Sequence, residues 1–134
     1  MQVQQMVSTH PDVRGKTNSA LVHCIEECYS CAQICTSCAD ACLAEAMVKD
    51  LTQCIRLDLD CADICNTTGR IATRRTGSDE EVIRRMLDVC ATVCRLCAEE
   101  CQRHASKHEH CRICAEACRN CMSACQEAGR SMAH

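Results

Sequence analysis

Six cysteines of one segment, Cys24, Cys28, Cys31, Cys35, Cys38 and Cys42, are separated by 4, 3, 4, 3 and 4 residues. The intervals return at Cys90, Cys94, Cys97 and Cys101, and again at Cys111, Cys114, Cys118, Cys121 and Cys125. A sparser set lies at Cys54, Cys61 and Cys65. Alternating steps of three and four keep side chains on one stripe of an α-helix, where leucine and isoleucine normally face a neighbouring helix. The Cys-x3-Cys pairs 24/28, 31/35, 38/42, 61/65, 90/94, 97/101, 114/118 and 121/125 place one thiol above another on a helix face. Two thiolates so placed can grip one soft ion, and the Cys-x2-Cys steps link each pair to the next.

One buried cysteine behaves as a small hydrophobe. Eighteen in a chain of 134 are a different matter. Each cysteine in place of leucine gives up on the order of 1 kcal/mol of burial, so a bundle lined this way needs a ligand to offset the loss. Thiolates select Cu(I), zinc and iron-sulfur clusters. Zinc favours isolated tetrahedral quartets, and each Zn(II) held by four thiolates leaves negative charge in a dry interior. Iron-sulfur clusters favour compact cysteine runs such as those ending in Cys-Pro, and no Cys-Pro occurs here. Cu(I) exchanged for a thiol proton leaves the core neutral. Multiple Cu(I) ions are therefore the leading expectation, with zinc, iron-sulfur or thiol redox chemistry as alternatives. A redox enzyme needs one poised, accessible cysteine pair, and no pair is set apart here. Nor does a Ser/His/Asp set, a carboxylate pair or a phosphate-binding glycine loop stand out, so the expectation is a binding protein and not an enzyme.

The elements that must carry these seams are four long helices. The first runs from about Asn18 or Ser19 to Ala46. Three capping boxes, Asp50 with Gln53, Ser78 with Glu81 and Ser106 with Glu109, predict the starts of the others. Arg74-Arg75-Thr76-Gly77 ends the second helix and Gly129 ends the fourth. Joints this short predict an all-α, antiparallel up-down-up-down four-helix bundle with a cysteine-lined core over residues 18–134. Residues 1–17 read as an N-terminal arm or short helix. Val22, Ile25, Ile34, Ile55, Leu59, Ile64, Val89, Val93, Leu96 and Ile113 flank the seams and are expected to pack helix on helix, some of them at subunit contacts.

Composition agrees. Phe and Trp are absent, Tyr29 is the only aromatic of the Phe/Tyr/Trp set and Pro11 the only proline. The formal charge of -3 predicts no nucleic-acid partner. No stretch is long and apolar enough for a membrane span. The opening residues lack the apolar core of a secretory signal. That places the chain, as an expectation, in the cytoplasm, where thiols stay reduced. Disulfides are disfavoured further because consecutive seam cysteines share a helix.

The seams CIEECYSCAQICTSCADAC, CATVCRLCAEEC and CRICAEACRNCMSAC strongly resemble the bacterial copper storage proteins, over residues 18–130. The resemblance implies a four-helix bundle that fills its interior with Cu(I) on cysteine sulfur. It further implies the cytosolic branch of that family, and with it a homotetramer. The second helix departs from the dense pattern, with three cysteines only.

The two ends of such a bundle differ. Toward the termini the seams run into Leu21, Ile83, Leu87, Thr68, Ala72 and Ala128, an apolar plug. Toward the opposite turns they meet His104 and His108, with His110 and Met47 close by. Imidazole and thioether both bind copper. Three histidines where the thiols run out favour a site of copper access, although a solvated turn accounts for any one of them. His10, His23 and His134 have no such placement. Asp58 occupies a seam position where a cysteine would fit. It is either an oxygen ligand among the thiols or a residue turned outward by a small helix rotation.

Overall fold

The computed structural model describes residues 1–132. Its elements in chain order are α1 (Val3–Ser8), α2 (Ser19–Leu43), α3 (Thr52–Thr73), α4 (Glu80–His104) and α5 (Glu109–Ser131), with a 3-10 turn, Val48–Leu51, ahead of α3. Helix α2 packs on α3 and α5, and α4 packs on the same two, so the long helices close a ring about one core. Each short joint reverses the chain, giving the antiparallel up-down-up-down bundle that joints of this length predict.

The helix starts depart from the capping boxes in instructive ways. Asn18 caps α2, its side chain accepting from the Leu21 amide at 3.1 Å. At α4 the cap lies one residue later than Ser78, on Asp79, whose carboxylate accepts from the Glu81 and Val82 amides. Asp50 caps nothing. It sits inside the 3-10 turn, and α3 starts after Leu51 without a side-chain cap. Ser106 is likewise bypassed, because α5 starts after His108, whose ring is engaged elsewhere. Helix α2 stops at Leu43, short of Ala46, and α5 runs past Gly129 to Ser131. Gly77, at φ 55°, supplies the left-handed turn between α3 and α4.

All 18 cysteines are free thiols, and none exposes more than 2% of its surface. Among the flanking aliphatics Val22, Ile25 and Val93 are buried, and Ile34, Ile55 and Ile64 pack half-buried against the core. Leu59, Val89, Leu96 and Ile113 correct the helix-on-helix expectation, for they remain 39–48% exposed. Their positions fall on the far side of each helix from its thiols.

One end of the bundle is stoppered. Leu21, Thr68, Ala72, Ile83, Leu87 and Ala128 are all at or below 4% exposure, and Thr68 returns its hydroxyl to the Ile64 carbonyl. Helix α1 lies against α2 and adds Val3 and Val7 to the same core. The arm is tied to the α3–α4 turn where the His10 ring meets the Thr76 hydroxyl at 2.9 Å. His23, 65% exposed, faces Glu27, and His134 lies outside the described residues.

Candidate metal centre

The 4-3 spacing aims one stripe of every long helix at the bundle axis, and the stripes merge into a single thiol column. Toward the stoppered end, Cys28, Cys90, Cys121 and Cys125 bring their sulfurs within 4.8 Å of one another. The same holds for Cys31, Cys65, Cys94 and Cys121, then Cys31, Cys35, Cys61 and Cys118, and then Cys35, Cys97, Cys114 and Cys118. Each set shares a member with the next. This is a ladder of bridging positions, and not the isolated quartets that zinc favours. Cys24 extends it at the bottom, 3.6 Å from Cys125. Cys38, Cys42, Cys54 and Cys111 form the set nearest the open end.

Asp58 is completely buried, which rules out the rotation that would turn it to solvent. Its Oδ1 lies 3.2 Å from Cys97, 3.4 Å from Cys101 and 3.2 Å from Cys114, and the thiols donate to it. Oδ2 stands 4.0 Å from Cys54. The carboxyl thus joins the open-end set to the ladder below. Burial, then the neighbouring Cys114 and Cys54, push its pKa up to about 8.

Neighbouring thiols along the column stand within hydrogen-bond reach of one another. Hydrogen bonds from Cys101 and then Cys38 pull Cys54 down to about 3, whereas burial pushes Cys42 up to about 12. Cys28, Cys35 and Cys65 are raised chiefly through hydrogen bonds with neighbouring sulfurs, those of Cys121, Cys114 and Cys121 first. A sulfur that accepts from its neighbours approaches the thiolate that binds a soft ion.

The histidines gather at the open end, each held by a carboxylate that the sequence did not single out. Glu45, in the turn after α2, meets His108 Nδ1 at 3.0 Å and His110 Nε2 at 2.9 Å through the same Oε2 atom. The hydrogen bond from His110, with the His108 imidazole beside it, holds Glu45 below the usual carboxylate range. The two rings stack, centroids 5.4 Å apart. His110 Nδ1 faces Cys38 Sγ at 3.4 Å and Cys111 Sγ at 3.6 Å. His104 Nε2 is paired with Glu100 Oε2 at 2.9 Å, one turn back on α4. That i, i+4 spacing was a readable signal. Glu45 left none, because its partners lie across the bundle on a different turn. Met47 stays 42% exposed in the α2–α3 turn.

This is an arrangement suited to many soft cations, a column of overlapping thiol sets with imidazoles at the end away from the apolar stopper. A family model described as "Copper storage protein" matches residues 17–130. The copper storage protein of Streptomyces lividans, in a structure loaded with 10 copper equivalents, is 55% identical with a TM-score of 0.91, over 96% of this chain and 98% of that one. A second structure, described as a cytosolic copper storage protein from the same organism with five coppers, is 59% identical over 84% of this chain and 93% of that one, with a TM-score of 0.82. The Cu(I)-bound copper storage protein BsCsp3, from Bacillus subtilis, is 39% identical with a TM-score of 0.69, over 83% and 95%. The chain belongs to the copper storage protein family.

Proposed function

We propose that this protein stores Cu(I) in the cytosol, in quantity and without catalysis. The ions are its cargo, held on the sulfurs of Cys24, Cys28, Cys31, Cys35, Cys38, Cys42, Cys54, Cys61, Cys65, Cys90, Cys94, Cys97, Cys101, Cys111, Cys114, Cys118, Cys121 and Cys125. The continuity of the column carries this reading, because the overlapping sets share members from one rung to the next. Bridging sulfur lets every thiolate serve two ions, and each Cu(I) replaces one proton, so a filling core stays neutral. Zn(II) at the same density would build up uncompensated charge in the dry interior.

Within this reading His104, His108 and His110 receive ions at the open end, and Asp58 offers an oxygen where the open-end sulfurs meet the ladder. Imidazole binds Cu(I) less firmly than thiolate does, so it can hand an ion inward without trapping it. The homotetramer implied by family resemblance belongs to the same proposal. Val82, Val89 and Leu96, all exposed and seven residues apart on α4, supply an apolar stripe for contact with a second copy. Light scattering on the purified chain reads that assembly directly.

The deciding measurement is an anaerobic Cu(I) titration with metal analysis. Capacity on the order of one Cu(I) per cysteine is expected. Saturation at about two to four ions per chain would instead mark discrete sites of the zinc or iron-sulfur kind.

A further inference from the structure

We propose that Glu45 is the positioning residue of the open end, fixing His108 and His110 in opposite tautomers so that each keeps one ring lone pair free for incoming Cu(I). The inference rests on the storage reading and on the histidine mouth proposed above.

A carboxylate accepts hydrogen bonds and donates none. Glu45 Oε2 accepts from His110 Nε2 at 2.9 Å and stands 3.0 Å from His108 Nδ1 in an ion-pair contact, so its negative charge favours hydrogen on these two ring nitrogens of the neutral imidazoles. The lone pair of His110 is then on Nδ1, the atom 3.4 Å from Cys38 Sγ and 3.6 Å from Cys111 Sγ. An ion bound there sits beside two seam sulfurs from the start. The lone pair of His108 is on Nε2. That ring is 6% exposed, and its Nε2 is buried without a partner among the described residues. A buried nitrogen with no partner is unfavourable unless something arrives to fill its lone pair. The opposite tautomers would turn an N–H of His110 toward the sulfurs and leave neither ring able to ligate in place.

Glu45 itself lies in the turn after α2, whereas both rings belong to the start of α5. One oxygen atom therefore sets the chemistry of a mouth built from two separate turns. A carboxylate on the far nitrogen of a ligating imidazole also strengthens the lone pair that meets the metal.

Three variants test this. The first is Glu45→Ala, which removes the acceptor, and the second is Glu45→Gln, which keeps a carbonyl oxygen in the same place. In the third, His104, His108 and His110 are all replaced by non-ligating residues. Long-range 1H–15N spectra of the metal-free proteins read the ring tautomers, and anaerobic stopped-flow transfer from a Cu(I)–chelator complex reads the loading rate. We expect wild type and Glu45→Gln to show Nδ1–H on His108 and Nε2–H on His110, and to load within about twofold of one another. Glu45→Ala should mix the tautomers and load about tenfold slower at unchanged final capacity.

Wild-type loading by Glu45→Ala, with the triple variant slow, would overturn the role of Glu45 while sparing the mouth. Unchanged tautomers in a slow Glu45→Ala protein would also overturn it, reducing Glu45 to a tie between turns. If the triple variant itself loads at the wild-type rate, the histidine mouth falls.

Discussion

Asp58 takes a place on α3 that the 4-3 rhythm reserves for a thiol, and its surroundings give it a pH dependence of its own. Its folded pKa is raised to about 8, first by burial, whereas an unfolded aspartate titrates near about 3.9. The folded chain therefore keeps a proton that the unfolded chain has released. Stability from this group is complete below the unfolded value and is lost as pH rises through the folded one, at up to about 1.4 kcal/mol per pH unit. In urea unfolding of the metal-free protein between pH 5 and 8, wild type should lose stability relative to Asp58→Asn as pH rises, because the substitution removes this contribution. Parallel profiles for the two proteins would refute the assignment. The seam position of Asp58 was legible in the sequence, because spacing alone identifies it. Whether it pointed inward was not, since that depends on a few degrees of helix rotation set by neighbours. Glu45 was illegible altogether. Its meaning exists only where two remote turns meet.

At the scale of the elements, the seams foretold the helices better than their ends. Periodic burial over six or seven turns is a strong signal, whereas a start is decided by one or two local hydrogen bonds. Asp79 displaced Ser78 as a cap because its carboxylate reaches two amides at once. Asp50 lost its place to the 3-10 turn that lowers Leu51 into the core. Helix pairing holds another consequence. Gly69 on α3 lies under the ring of Tyr29 on α2, and a Cβ built there would stand 3.1–3.3 Å from three ring atoms. Alanine gains about 1 kcal/mol of helix propensity over glycine, but overpacking costs about 1–3 kcal/mol. Gly69→Ala should therefore destabilise the metal-free bundle by about 1 kcal/mol. In a Tyr29→Ala background the same change should stabilise it by a similar amount. Equal effects in both backgrounds, measured by chemical unfolding, would show that the ring is not the obstacle.

For the whole molecule, the arrangement separates what folds the chain from what it carries. The stopper of Leu21, Ile83 and Leu87 and the half-buried Ile34, Ile55 and Ile64 hold the bundle together without metal. The thiol column contributes less burial than leucine would. Metal-free protein should thus remain helical, and its thermal midpoint should climb with each increment of Cu(I), because ions that bind only the folded chain stabilise it by linkage. Equal midpoints with and without copper would contradict the proposed role of the column.

A shaft stoppered at one end also imposes an order on what fills it. If ions enter only from the histidine end, those arriving first should move down toward Cys24 and Cys125 and later arrivals should lie above them, so withdrawal should reverse the sequence: last in, first out. Loading with a light copper isotope and then a heavy one, followed by partial removal with a chelator, would read that memory by mass spectrometry. The heavy isotope should leave first. A statistical mixture would mean that ions hop between sulfurs faster than they depart, and that the protein keeps count of its copper without keeping its history.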